Sequence, residues 1–273
     1  MVSMQVQCHS DTLRADILFH VLLPQPGTAR VAPEASCGTV ASMDRPLPVL
    51  YLLHGLSDDA SAFCRFSALE RHLSKYRVAA VMPSVGRSFC MDMRKGPAYG
   101  RFLEEELPHL ATSLFPLSRR PEDTFLAGVD AGGYGAFRLA LRQPHRYAAV
   151  AALSAPLDLE TLYGLPDEGI LAELAGIFGT ADECAAEGHL LTDRLAEAVR
   201  AGTPLPRLYQ ACGTDDFFLS DNRRFASLAA RLNAGLTWRE VPGAHDWAGW
   251  DAMLPGMLGW MFADGRFLLP EED

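Results

Sequence analysis

The stretch Phe125-Leu126-Ala127-Gly128-Val129-Asp130-Ala131-Gly132-Gly133-Tyr134-Gly135-Ala136 decides the fold. It opens as an apolar run suited to a buried strand, then passes through small residues into a helix. A strand that turns straight into a helix crowds its own backbone. Gly128 and Gly132, two residues either side of Asp130, leave room for a strained residue at the tip of the turn. This is the G-x-S-x-G spacing of a nucleophile elbow, with Asp130 where the serine would stand.

Outward from this stretch, the chain alternates strands and helices. Val2–Cys8 and Asp16–Leu23 read as antiparallel strands, and Pro24–Pro48, rich in Pro, Ala, Ser and Gly, as an exposed loop. Val49–Leu53 is a continuous apolar run, the signature of a strand buried on both faces. A helix is expected near Ala60–Tyr76, a strand over Val78–Met82 stopped by Pro83, and a helix over Pro97–Leu114. Glu104, Glu105 and Glu106 read as the solvated face of that last helix. Thr124–Ala127 precedes the elbow, Gly132–Arg142 follows it as a helix, and Tyr147–Leu153 is the next strand. Leu159–Gly202 reads as short helical pieces placed where a lid would be inserted. Leu208–Ala211, Asp221–Leu232, Leu236–Val241 and Trp247–Phe262 complete the alternation. The implied class is α/β: one domain over residues 1–273, with a mostly parallel, doubly wound sheet, helices on both faces and a helical lid over 159–202.

Composition narrows the function classes. A chain of 273 residues, 49% hydrophobic and 21% charged, can bury one large core. Its formal charge of −10 argues against nucleic acid or an anionic membrane as partner, because both require a basic surface. No apolar run approaches the roughly 20 residues of a membrane-spanning helix, and the first residues do not read as a signal peptide. Six scattered cysteines, with no C-x-x-C pair and no histidine at ligand spacing, read as thiols of a reducing cytoplasm rather than disulfides or metal ligands.

Three elements carry chemistry. After the elbow comes Gly213-Thr214-Asp215-Asp216-Phe217-Phe218, directly following a strand, then Pro242-Gly243-Ala244-His245-Asp246-Trp247, following the next. Both lie at carboxyl ends of strands, where open α/β sheets bind ligands. A carboxylate that fixes a histidine tautomer lets the other ring nitrogen relay a proton, and Asp216 is chosen over Asp215 for this role. His54-Gly55-Leu56-Ser57 follows Val49–Leu53, so the backbone N–H groups of Leu56 and Ala131 are the candidate oxyanion donors. His54 reads as structural, Trp247 and Trp250 as core, and Arg87 and Asp92 as surface or structural residues.

Several stretches resemble the esterase D superfamily of α/β-hydrolases, particularly its tributyrin and acetyl esterase branch. They are Tyr51-Leu-Leu-His-Gly-Leu-Ser57, Met82-Pro-Ser-Val-Gly-Arg-Ser-Phe89, Glu105-Glu-Leu-Pro108, Glu122-Asp-Thr-Phe-Leu-Ala-Gly128, Gly132-Gly-Tyr-Gly-Ala136, Cys212-Gly-Thr-Asp-Asp-Phe217 and Pro242-Gly-Ala-His-Asp-Trp247. The resemblance implies a cofactor-free serine esterase acting on short acyl esters as small-molecule substrates. It places the nucleophile at position 130, the acid at Asp216 and the base at His245. The related S-formylglutathione hydrolases usually follow His-Gly-Leu with Thr-Cys, where this chain has Ser57-Asp58. Exposed apolar residues in the lid offer a surface on which copies of the chain could assemble.

Asp130 is the departure. A carboxylate that adds to an ester carbonyl is a better leaving group than the alkoxide by about ten pK units, so the adduct reverts. Four readings stay open: a serine esterase weakened or silenced by Asp130; Asp130 and His245 acting on water as general base; Asp130 as an alkylated nucleophile, as in dehalogenases and epoxide hydrolases, against which Ala131 counts because those enzymes typically carry Trp there; or a non-hydrolytic binding protein or epimerase. The first is the reading adopted.

Overall fold

The computed structural model describes residues 1–25 and 45–269. Most of the expected Pro24–Pro48 loop lies outside the described residues. Eight strands form one sheet: β1 (Val2–Ser10), β2 (Ala15–Leu23), β3 (Val49–Leu53), β4 (Ala79–Pro83), β5 (Thr124–Val129), β6 (Ala149–Leu153), β7 (Arg207–Gly213) and β8 (Leu236–Val241). Their spatial order is β1-β2-β4-β3-β5-β6-β7-β8. β1 and β2 pair antiparallel, as do β2 and β4, and every pairing from β4 through β3 to β8 is parallel.

Parallel strands need crossovers, and these are helical. α1 (Ala62–Phe66) and α2 (Leu69–Leu73) follow β3. α3 (Tyr99–Arg101), a π-helical turn (Phe102–Glu106) and α4 (Leu107–Leu114) follow β4. α5 (Ala131–Arg142) follows β5, and α6 (Leu159–Tyr163), α7 (Glu168–Ile177), α8 (Ala181–Ala186) and α9 (Leu191–Arg200) follow β6. α10 (Leu219–Arg231) and α11 (Trp247–Met261) flank β8. Among the described residues no helix is long and apolar enough to cross a membrane.

The period-two geometry of a strand explains the uninterrupted apolar run of β3. Val49, Tyr51 and Leu53 enter the core on the α5 face, while Leu50 and Leu52 enter the core on the α11 face. The turn after β5 is tight. A Cβ on Gly132 would lie 2.2 Å from the Leu53 carbonyl oxygen, and one on Gly128 would lie 2.3 Å from Gly132. Only glycine permits this approach, which brings the start of α5 down onto the ends of β3 and β5.

Two expectations need correction. The helix expected near Ala60–Tyr76 is two short helices, because Ser67 is extended and the Ala68 N–H is taken by the Asp251 carboxylate of α11 at 2.8 Å. Glu104 to Glu106 are not a uniformly solvated face. Glu104 is 6% exposed, accepts from Gln143 at 3.0 Å and faces the Arg138 and Arg142 guanidinium groups at 3.6 and 3.4 Å. Glu106 accepts from the Ser10 hydroxyl and the Asp11 and Thr12 N–H groups at 2.7, 2.9 and 3.0 Å. Both therefore pin the π-turned segment to neighbouring elements.

Candidate functional site

The site assembles from loops at the carboxyl ends of β3, β5, β7 and β8. Asp130 follows β5 with φ 50° and ψ −128°, a conformation that a residue bearing a Cβ adopts only under strain of roughly 1–3 kcal/mol. The turn is held by its own backbone. Asp130 N–H donates to the Leu153 carbonyl at 3.0 Å, and the Asp130 carbonyl accepts from Gly133 and Tyr134 at 2.9 and 3.2 Å. The Asp130 side chain is thereby directed toward the loop after β3, where its Oδ2 accepts from the Leu56 N–H at 2.8 Å. Gly55 makes room, since a Cβ there would sit 3.1 Å from Asp130 Oδ2.

His245 precedes α11, whose first turn is capped by Asp246 accepting from the Gly249 N–H at 2.8 Å. The imidazole Nδ1 faces the Asp216 carboxylate at 3.0 and 3.1 Å, and Nε2 faces Asp130 Oδ1 at 3.6 Å. Asp216 Oδ1 also accepts from the Phe218 N–H at 2.8 Å. The acid and histidine loops are stitched together by Asp215 N–H donating to the Gly243 carbonyl at 2.9 Å, while the Asp215 side chain stays exposed. Asp130, Asp216, His245 and Leu56 are thus brought together. Ala131 is buried as the first residue of α5, where its N–H has no intrahelical acceptor.

Charge follows this geometry. Burial pulls the His245 imidazolium down, but the Asp130 carboxylate 3.6 Å from Nε2, the hydrogen bond to Asp216 and the charges of both carboxylates outweigh it, raising its pKa to about 9. Burial works against ionising Asp216, yet His245 and the Phe218 N–H hold its carboxyl below the usual range. His245 therefore carries its proton at neutral pH, between two carboxylates.

The surrounding residues divide clearly. His54 is structural. Its Nε2 accepts from the Val85 N–H at 3.0 Å, its Nδ1 donates to the Gly55 carbonyl at 2.7 Å, and burial lowers its pKa. Asp92 accepts from the Arg101 N–H at 2.8 Å, also structural. Arg87 clasps Glu173 of α7 at 2.5 and 2.7 Å and reaches the Leu56 carbonyl at 3.5 Å. Trp250 is buried and meets the His245 ring edge-on at 5.1 Å, whereas half-buried Trp247 donates to Asp58 at 3.3 Å. Burial, joined by the Asp130 charge, raises the Asp58 pKa. Sequence reasoning missed Asp58 and Phe217. Phe217 is 70% exposed yet its ring lies 4.3 Å from that of His245. Its signal was adjacency to Asp216 on one loop. A separate cavity of about 290 Å³ is lined by Tyr51, Leu107, Thr124 and Tyr147 and contains none of the site residues.

Comparison with known proteins bears on this arrangement. The family model described as putative esterase matches residues 23–261. An acetyl esterase of Caldicellulosiruptor saccharolyticus is 27% identical over 79% of this chain and 83% of its own length. The fluorophosphonate-binding serine hydrolase F of Staphylococcus aureus superposes with a TM-score of 0.83 at 29% identity, covering 95% of this chain and 98% of that one. The S-formylglutathione hydrolase of the same organism superposes at 0.77 with 30% identity, again covering 95% and 98%. The architecture is that of these serine hydrolases, an α/β-hydrolase fold.

Proposed function

The chain belongs to the putative esterase family, a carboxylic-ester hydrolase scaffold, and from that premise we propose that its site is shaped for short acyl esters, with Asp130 suppressing acyl transfer. Asp216 orients His245, and the N–H groups of Leu56 and Ala131 form the oxyanion hole. Helices α6–α9 act as a lid, tied beside the Leu56 loop by the Arg87–Glu173 pair.

One observation carries this reading: Asp130 Oδ2 lies 2.8 Å from the Leu56 N–H. In an esterase that donor meets the carbonyl oxygen as charge builds on it. Here a resident carboxylate oxygen already fills the position. The same carboxylate helps keep His245 protonated, so the imidazole is a poor base at neutral pH. Position 130 thus costs the site its nucleophile, its donor and its base together. General-base attack by water is the weaker reading for the last of these reasons.

Asp130→Ser is the test, assayed with p-nitrophenyl acetate and butyrate. It should exceed the unaltered chain by at least about 10³-fold, because removing a nucleophile that works with its base costs this much or more. A correctly folded but inert serine variant would defeat the proposal.

A further inference from the structure

The disposition of the Asp130 carboxylate permits chemistry that an ester substrate does not. Oδ2 is held by the Leu56 N–H at 2.8 Å, and Oδ1 is turned toward His245 Nε2 at 3.6 Å. A carboxylate is a weak agent toward an acyl carbonyl because it is expelled again. Toward a saturated carbon bearing a leaving group it is competent, since the product is a stable ester. That ester would have Cγ of residue 130 as its acyl carbon, with Oδ2 already on an oxyanion donor and the imidazole beside it. The family's machinery for cleaving esters would then face an ester made from the protein itself.

We propose that this chain hydrolyses small epoxides through an alkyl ester of Asp130. Oδ1 attacks a ring carbon, the C–O bond of the epoxide breaks, and its oxygen takes the proton from His245 Nε2. His245 is left neutral, and the Asp130 charge that helped hold its proton is gone. The neutral imidazole then takes a proton from water as the hydroxide oxygen bonds to Cγ. The developing negative charge on Oδ2 rests on the Leu56 N–H. Collapse of the tetrahedral adduct breaks the Cγ–Oδ1 bond, and His245 returns its proton to the departing diol oxygen. The new Asp130 carboxyl gives its proton back to the imidazole, restoring the starting pair. The sum is epoxide plus water to vicinal diol, with no other reactant. An epoxide suits the site better than an alkyl halide, because its alkoxide leaving group needs the proton that His245 holds, whereas Ala131 offers no ring N–H to a departing halide, which is where its presence after Asp130 counts. Phe217, exposed against the imidazole ring, offers an apolar wall for the epoxide substituent.

The experiment uses the unaltered full-length chain with 1,2-epoxybutane and styrene oxide, read as diol formed. A single turnover in heavy-oxygen water, with protein in excess, is then analysed by peptide mass. The expected result is diol formation on the order of 100-fold above Asp130→Ser, with heavy oxygen in the Asp130 peptide and not in the first-turnover diol. Diol no faster than with Asp130→Ser would overturn the proposal, as would label entering the diol while the protein stays unlabelled. Ester hydrolysis by Asp130→Ser is measured alongside. It reports on the esterase reading separately, so failure of one proposal is distinguishable from failure of the other.

Discussion

At the residue scale, the decisive feature is a single imidazole shared by two carboxylates. His245 is raised from 6.5 to about 9 by Asp130 and Asp216 against the pull of burial. The folded protein binds this proton more tightly than the unfolded chain does. The interaction is therefore fully stabilising below about pH 6.5 and is lost as pH rises through about 9, with a ceiling on the order of 3 kcal/mol. Melting curves of the unaltered chain should fall by several degrees between these limits. His245→Gln should lack that fall, and parallel curves for the two proteins would contradict the assignment. The residues of this cluster were legible in the sequence because each sits at a fixed offset from a strand end. Asp58, Phe217 and Glu104 were not, since their surroundings are supplied by distant segments: Trp247 for the first, the His245 loop for the second, and Arg138 with Gln143 for the third.

At the element scale, the β5–α5 turn holds the closest glycine approach to another backbone atom among the described residues, and glycine positions elsewhere provide a contrast. Gly132→Ala would drive a Cβ to 2.2 Å from the Leu53 carbonyl oxygen, a backbone atom that cannot move aside. The expected loss is about 1–3 kcal/mol by urea denaturation, together with displacement of Asp130 from Leu56. Gly176, inside α7, has no neighbour within 4 Å of where its Cβ would lie. Gly176→Ala should stabilise by about 0.5–1 kcal/mol through restricting the unfolded chain and favouring helix. Equal effects at the two sites would show that packing at the elbow is looser than these contacts indicate. The elbow was readable because its glycine spacing answers a local steric demand. The break after α1 was not, because the Asp251 carboxylate that captures the Ala68 N–H arrives from a helix far along the chain.

At the scale of the whole molecule, the alternation of continuously apolar strands with helices predicted a sheet covered on both faces, and that much follows from the sequence pattern alone. What periodicity does not contain is how the segment between β6 and β7 attaches to the rest. The structure answers with an aromatic cluster. Phe178, at the end of α7, meets Phe89 of the loop after β4 at 5.5 Å and Tyr134 of α5 at 5.7 Å, all near edge-to-face. Tyr134 itself donates to the His189 carbonyl at 2.7 Å, so the elbow helix holds both ends of α8. Phe178 is 1% exposed. Truncating a fully buried phenylalanine typically costs 3–5 kcal/mol. Because the three rings belong to three different segments, that loss should fall on the whole fold. Phe178→Ala should lower the melting temperature by roughly 6–20 °C, with one transition reported alike by far-ultraviolet circular dichroism and by hydrogen exchange in α7, α9 and β5. Were α7 and α9 to lose protection well below the main transition while β5 stayed protected, the α6–α9 segment would be an independently opening unit, and the aromatic cluster a contact of that segment alone.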